Sequence, residues 1–182
     1  MKTLLLLLAL AADPDLDALV ERFYLGAKVT LAENASCLET DQQDWQRAVK
    51  RCRDGTCLKR AQLARLAELQ ALQESVPGDL DLPDVPQLLW AIAPAAESKT
   101  PGTPLKVEGR LEYRAGYHLR GEGGKTFLLA DDLSLRGSSA DKLREIRNAS
   151  RNARLMARGS ASDDPSGPGF DPRNCVFLYV LP

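Results

Sequence analysis

The chain has 182 residues, of which 24 are Lys or Arg and 25 are Asp or Glu, so its formal net charge is −1. An apolar fraction of 44% with 27% charged residues excludes a wholly disordered chain and a multi-span membrane protein. The near-neutral balance argues against nucleic-acid binding through bulk charge, and a single His argues against histidine-based catalysis or a multi-His metal site.

The first residues have the pattern of a secretory signal. Lys2 gives a basic start, a leucine run follows through Leu8, and an A-x-A cleavage site ends at Ala11. We therefore predict a signal peptide over 1–11 and an exported mature protein, either periplasmic or secreted. The alternative is that this segment is the apolar start of a first helix. No later apolar run is long enough to span a bilayer.

Four cysteines in an exported chain predict two disulfides, for which three connectivities are possible. Cys52 and Cys57 flank the turn sequence Arg-Asp-Gly-Thr, so we expect a local bridge between them. Elimination then leaves Cys37 to pair with Cys175. A zinc site is disfavoured, because the cysteine spacing is C-x4-C and His118 lies far away.

Residues 12–93 are predicted to form a helical domain of three helices. Asp13 suits an N-cap and Pro14 suits the first helical position, and apolar residues then recur at helical spacing. The predicted buried face of the first helix is Leu16, Leu19, Val20, Phe23, Ala27 and Leu31.

The second and third helices are predicted from capping signals. The segment 36–39 matches a capping box that opens the second helix, and Thr56 is placed to cap the third. The stripe predicted for the second helix is Leu38, Trp45, Ala48, Val49 and Cys52. Pro77 and Gly78 end the third helix, and the apolar stretch 86–93 is predicted as one more short helical piece.

A Pro-rich segment, 94–104, is predicted as a linker, and the apolar period changes from 3.6 to 2 after it. The region 105–182 reads as three strands, a further short strand at 133–136, a helix that Ser139 caps, and two last strands. This element order is that of an OB-fold barrel. The alternatives are a different small β-barrel and an α+β sheet. The predicted fold class is therefore α+β, with an N-terminal helical bundle and a C-terminal OB-like barrel.

Catalytic signals are weak. The chain lacks a G-x-S-x-G, P-loop or H-E-x-x-H motif, so no catalytic, cofactor-binding or metal-ligating residue is predicted and we do not expect an enzyme. The acidic pairs at 131–132 and 163–164 lie in turn-like sequence, where Asp is common for conformational reasons. Tyr113 and Tyr117 on the predicted strands are candidates for stacking against sugars or bases.

One segment has a more specific pattern. Gln42, Trp45 and Cys52 are followed by Cys57 and Leu58, and the pattern continues with Ala61, Arg65, Leu66 and Leu69. These residues resemble the lysozyme-inhibitor LprI family over about residues 40–70. The resemblance implies a helical hairpin stapled by a disulfide and a protein partner, a lysozyme or another cell-wall hydrolase.

The sequence therefore predicts an exported, non-catalytic binding protein, and the resemblance implies that it inhibits such a hydrolase by occlusion. Asp163 and Asp164, in the polar loop 160–174, are the candidate contacts with a basic enzyme surface. The alternative is an OB-fold module that binds oligosaccharide or nucleic acid, of which nucleic acid is the less expected, and a structural envelope protein is a third interpretation. An exposed row of aromatic residues flanked by Arg would favour the binding module.

Overall fold

A computed structural model describes residues 15–73, 75–94, 102–135, 137–164 and 167–182. The predicted signal peptide 1–11 and the predicted cap Asp13 lie outside these ranges, as does most of the predicted linker. The helices of the described chain are α1 (Leu16–Leu31), α2 (Ala35–Val49), α3 (Gly55–Leu69) and α4 (Ser139–Ala149). Its strands are β1 (Gln87–Ile92), β2 (Pro104–Tyr113), β3 (Tyr117–Arg120), β4 (Thr126–Ala130), β5 (Leu155–Ser160) and β6 (Val176–Val180).

Helix α1 forms as its apolar spacing predicts. Its predicted face is turned inward: Val20, Phe23, Ala27 and Leu31 are buried, and the two leucines before them are half-buried. The described N-cap is Asp15, whose carboxylate accepts a hydrogen bond from the Ala18 amide at 3.1 Å. This bond satisfies one of the free amides of the first turn.

The predicted caps of α2 and α3 are wrong. A short 3₁₀ turn, Ala32–Asn34, leads directly into α2, so Ser36 is an exposed residue within the helix and not its cap. The cap of α3 is Asp54, which accepts from the Cys57 amide at 2.8 Å, and Thr56 lies inside the helix. Helix α3 also ends at Leu69, well before Pro77, and a 3₁₀ turn continues it to Leu72.

The stripe predicted for α2 is partly wrong. Leu38 is buried, but Trp45, Val49 and Cys52 are half-buried and Ala48 is exposed. The fully buried residues of the helix are Cys37, Leu38 and Gln42. The fully buried residues of α2 therefore lie in its N-terminal half, where the helix meets the sheet.

The six strands form one antiparallel sheet with the order β1-β6-β5-β2-β3-β4. The hairpins β2–β3 and β3–β4 lie where the period-2 pattern predicts them. The segment 86–93, predicted as helical, is instead strand β1, which pairs with β6. Its run of apolar residues is too short for periodicity to distinguish a helix from a buried strand, and pairing with β6 decides the outcome.

An OB-like barrel is not confirmed, because the sheet is open and has β1 and β4 at its two ends. Two isolated bridges extend it: Leu128 pairs with Gly169 in parallel, and Ala161 pairs with Phe170 in antiparallel fashion. The short strand predicted at 133–136 is wrong, since residues 132–134 form a turn. The molecule is thus α+β with an N-terminal helical part.

Helix α4 packs on the sheet with Leu143 and Ile146 buried, as predicted. Ser139 is the first residue of the helix and does not cap it. Its hydroxyl lies 3.3 Å from the Trp90 indole nitrogen and 3.2 Å from the Asn34 side-chain oxygen, so it links α4, β1 and the start of α2.

One hydrophobic core joins the helices to the sheet. It contains Phe23 and Leu31 of α1, Leu66 of α3, and Leu88 and Leu178 of the sheet. The predicted boundary at 94–104 falls between β1 and β2, which are strands of the same sheet. Consequently the helical part packs against the strands through many apolar side chains.

Candidate functional site

A buried arginine organises the contact between α2 and α3. The Arg65 guanidinium donates from Nε to the Gln42 side-chain oxygen at 3.1 Å, and from Nη1 to Asp41 at 2.7 Å and Glu68 at 2.6 Å. Its side chain is only 1% exposed. Burial lowers the pKa of Arg65, but the carboxylates of Glu68 and Asp41 outweigh that effect and the net shift is upward. A permanent positive charge is therefore held inside the protein.

The network continues from the helices into the sheet through Asp41. Its second carboxylate oxygen accepts from Arg158 Nη2 of β5 at 2.7 Å. The guanidinium of Arg158 lies over the rings of Phe177 and Tyr179 on β6, 5.3 Å from each ring centre. We call Arg65, Asp41, Glu68 and Arg158 the seam network, because together they join α3, α2 and β5.

A disulfide fastens the same seam. Cys37 lies one turn before Asp41 on α2 and is bonded to Cys175, directly before β6, with 5.7 Å between the Cα atoms. The second bridge joins Cys52 to Cys57, with 5.5 Å between the Cα atoms, in the turn between α2 and α3. Both predicted pairings are confirmed. The side of α2 that faces the sheet is thus held by a covalent bond and by ion pairs.

Two concave spaces lie along this side of α2, one on each side of Arg158. A cleft of about 610 Å³ is lined by Cys37, Asp41 and Asp44 of α2 and by Arg158, Arg173 and Phe177 across from them. A smaller hollow of about 330 Å³ is lined by Trp45, Arg65 and Glu68 and by Met156, Arg158 and Tyr179 of the sheet. We call the cleft and the hollow together the α2 groove.

Two buried donors at the hollow lack partners. Arg65 Nη2 and the Tyr179 hydroxyl make no hydrogen bond within the described chain. Burial raises the pKa of Tyr179 far above its ordinary value, and the nearby Glu68 carboxylate adds to the shift although the geometry does not give a hydrogen bond. The phenol is therefore a neutral donor at all ordinary pH values, and a buried unpaired donor of this kind is unfavourable without a ligand or water.

The residues that carry the resemblance to the LprI family assemble here. Gln42 and Arg65 form the buried hydrogen bond, and Trp45 and Ala61 line the hollow. Cys52 and Cys57 close the turn at the other end of the two helices. These residues therefore lie where α2 and α3 are joined through polar and covalent contacts.

The candidate aromatic residues Tyr113 and Tyr117 lie together, but they do not form an exposed row. Tyr117 is 3% exposed and donates to the Ala140 carbonyl at 3.1 Å, whereas Tyr113 is 43% exposed and donates to Asp132 at 2.7 Å. Their rings meet edge to face at 5.2 Å, and Arg147 lies over Tyr113 at 5.8 Å. Arg144 borders the same space. One exposed tyrosine with two neighbouring arginines is a small surface for stacking.

The candidate acidic residues Asp163 and Asp164 are both exposed. The base of their loop is tied to the sheet: the Ala161 amide donates to the Thr103 carbonyl at 2.7 Å, and the Phe170 amide donates to the Leu128 carbonyl at 2.8 Å. Asp163 and Asp164 therefore extend from a fixed base. The polar composition of this loop does not predict these hydrogen bonds.

The sequence did not predict the seam network. Arg158 gives the only hint in the sequence, because it is a charged residue directly after three apolar ones in the strand sequence Leu-Met-Ala-Arg-Gly-Ser. Asp41, Glu68 and Tyr179 have no local feature that marks them. Among the described residues, no group of three or more His, Cys, Asp or Glu side chains is arranged to hold a metal ion.

Comparison with known proteins gives no significant match: no family model, no curated protein and no solved structure is similar enough to this chain to assign it. The resemblance to the LprI family therefore stays a prediction. Within the described ranges, no helix is both long and apolar enough to cross a membrane.

Proposed function

We propose that the chain is an exported, non-catalytic protein that binds and inhibits a cell-wall hydrolase of the lysozyme type. The observation that carries this proposal is the fixed base from which Asp163 and Asp164 extend. This base is held by hydrogen bonds from the Ala161 and Phe170 amides and, further along the chain, by the Cys175 disulfide. Contact residues on a base that is already held lose less conformational entropy when they enter an enzyme cleft.

Charge supports the same partner. Two adjacent exposed carboxylates attract a basic enzyme surface and accelerate the encounter. Export is supported by the leader-like sequence at 1–11 and by two disulfides, which persist in oxidising compartments. The pattern at 40–70 adds the family resemblance, and its disulfide-stapled pair of helices serves as a scaffold for the loop.

The test is the clearing of a cell-wall suspension by several lysozyme types, with and without mature protein. Inhibition of at least one lysozyme type is expected. The double variant in which Ser replaces both Asp163 and Asp164 should inhibit more weakly, chiefly because association is slower and depends less on salt. The matched control replaces Asp79 and Asp84 with Ser, since both are exposed and the same charge is removed elsewhere. Clearing that is unaffected for every type at large molar excess would reject the proposal.

For the sheet half we also propose an OB-like arrangement of β2–β6. The two isolated bridges support it, because they connect the β4 edge at Leu128 to the segment before β6, and that segment to the end of β5. Hydrogen exchange tests this directly. The amides of Leu128 and Phe170 are expected to exchange as slowly as those of the central strands. Fast exchange of these two amides would indicate that the sheet is open and not OB-like.

A further inference from the structure

The α2 groove has the chemical character of a binding site that the hydrolase proposal does not use. One face of α2 forms its wall, since Cys37, Asp41, Asp44 and Trp45 recur at helical spacing along it. Strands β5 and β6 form the opposite wall. Arg158 separates the cleft of about 610 Å³ from the hollow of about 330 Å³.

The charges along the groove cancel. The acidic side chains that line it are Asp41, Asp44 and Glu68, and the basic ones are Arg65, Arg158 and Arg173. A polyanion such as nucleic acid would meet three carboxylates, and a polycation would meet three guanidinium groups. The groove is therefore suited to an uncharged ligand that offers both hydrogen-bond donors and acceptors.

The polar groups are held in place before any ligand arrives. Asp41 is shared between Arg65 and Arg158, and Glu68 is bound to Arg65, so these side chains have little freedom left to lose. The unpartnered donors at the hollow, Arg65 Nη2 and the Tyr179 hydroxyl, call for an acceptor. Because the charge of Arg65 is already balanced, a neutral oxygen is favoured over an anion.

The hollow also has an apolar side. Trp45 is half-buried there, and Val85, Pro86 and Met156 complete the surface around it. A ligand that fits must place a weakly polar face against an indole. Its hydroxyl groups must accept from Arg65 and Tyr179 and donate to Glu68. A pyranose ring has this division, with C–H groups on its faces and hydroxyls at its edge.

An extended peptide is disfavoured by the sheet. Peptides that bind sheets add a strand at a free edge and pair through the main chain. Both strands that line the groove are interior, because β5 lies between β6 and β2, and β6 lies between β1 and β5. Recognition in the groove must therefore come from side chains, and side chains can bind the hydroxyl groups of a ligand.

We propose that the α2 groove binds a neutral oligosaccharide, with one sugar ring against Trp45 in the hollow and the next rings along the cleft past Arg158. Arg173, near the end of the 160–174 loop, borders the cleft, but Asp163 and Asp164 line neither space. Variants of these two carboxylates and variants of Trp45 therefore test hydrolase inhibition and saccharide binding separately.

The probes are chitotetraose and cellotetraose, two neutral β-1,4-linked tetrasaccharides, titrated into the mature full chain. Binding is measured by calorimetry and by the indole N–H signals in a ¹H–¹⁵N spectrum, in which two signals are expected from two tryptophans. The signal that Trp45→Phe removes is assigned to Trp45. We expect it to shift with at least one probe, while that of Trp90, which is 4% exposed, stays in place.

Variants locate the site. Trp45→Ala and Arg158→Ala are each expected to weaken binding by about 10-fold or more. Arg154→Ala is the matched control, since Arg154 precedes β5, is 59% exposed and lies outside both spaces, and it is expected to bind normally. Because loss of Arg158 removes a partner of the half-buried Asp41, Asp44→Asn serves as a variant that keeps the fold, with an expected weakening of about 3-fold.

Several outcomes would overturn the proposal. They are absence of binding by both probes at about 5 mM, equal affinity of the Arg158→Ala and Arg154→Ala variants, and displacement of the sugar by an uncharged N-acetylated tetra-alanine amide at equal concentration. The last result would assign the groove to peptide. A shift of the Trp90 signal in place of that of Trp45 would also contradict the assigned position.

Discussion

The two disulfides constrain the chain on very different scales. Cys37–Cys175 joins the first turn of α2 to the residue before β6 across a separation of 138 residues, whereas Cys52–Cys57 spans only 5. Cys37 is fully buried, and Cys175 packs against the core, while Cys57 is exposed at the surface. The long bridge lies beside the seam network and the short one closes a turn.

This difference indicates which contact of the fold requires additional stabilisation. The turn between α2 and α3 is local, and its ends would meet often even in an unfolded chain. The contact between α2 and β6 brings together distant parts of the sequence. Forming it therefore costs the chain much more conformational entropy than closing the short turn does. A covalent bond and the ion pair of Asp41 with Arg158 both occur at this second place.

The largest expected effect comes from opening the long bridge. Replacing Cys37 and Cys175 together with Ser should lower the free energy of unfolding by about 5 kcal/mol, because the unfolded chain regains the freedom of a long loop. Denaturant unfolding at pH 7 measures it. A loss under about 2 kcal/mol would mean that the core and ion pairs alone hold α2 against the sheet.

The next effect comes from the ionic part of the seam. Arg65→Met should lower the free energy of unfolding by about 4 kcal/mol, because it leaves Asp41 and Glu68, 16% and 20% exposed, without their shared partner. The matched control is Arg47→Met on the same pair of helices. Arg47 is 67% exposed and pairs with the exposed Asp44, so less than about 1 kcal/mol is expected there. Similar losses for both variants would contradict a special role of the seam.

The short bridge should matter less. Replacing Cys52 and Cys57 with Ser is expected to lower the free energy of unfolding by about 2 kcal/mol, since a small loop releases little entropy when it opens. The same denaturant titration compares it with the variant of the long bridge. If the two double variants lost equal stability, the separation in sequence would not govern their contributions.

How far the sequence predicts this fold depends on the range of the interaction. The inward face of α1 and the hairpins of β2, β3 and β4 follow from patterns within a few residues, and the structure confirms them. Strand β1 was predicted as helix, because its identity depends on pairing with β6, which lies at the other end of the chain.

The candidate site shows the same limit more sharply. The disulfide pairings could be predicted because four cysteines and one short turn leave few choices. The seam network could not, because the Arg65–Asp41 bond spans 24 residues and the Arg158–Asp41 bond spans 117. An Asp on a helix surface carries no local mark that two arginines from other elements will bind it.

The smallest effect concerns Asp171, which orders the chain just before Cys175. Its buried carboxylate accepts from Arg173 Nε at 2.9 Å and Nη2 at 2.8 Å, from the Arg173 amide at 2.9 Å, and from Asn174 at 3.2 Å. The hydrogen bonds from Arg173 lower the pKa of Asp171 in spite of its burial. A lowered carboxyl pKa stabilises the folded state at pH values above the unfolded pKa of about 3.9, and this stability is lost as the pH falls through the folded pKa.

Asp171→Asn should therefore lower the urea midpoint at pH 7, by less than opening the short bridge does. The difference in midpoint between the variant and the wild type should become smaller as the pH falls below about 4. Titrations at pH 7, about 4 and about 3 measure the trend. Asp79→Asn is the control, because that side chain is exposed and should change the midpoint little at any pH. A gap that stays constant between pH 7 and about 3 would show that Asp171 acts through packing and not through its charge. In that case the long bridge, and not the carboxylate ahead of it, would be what orders the chain entering β6.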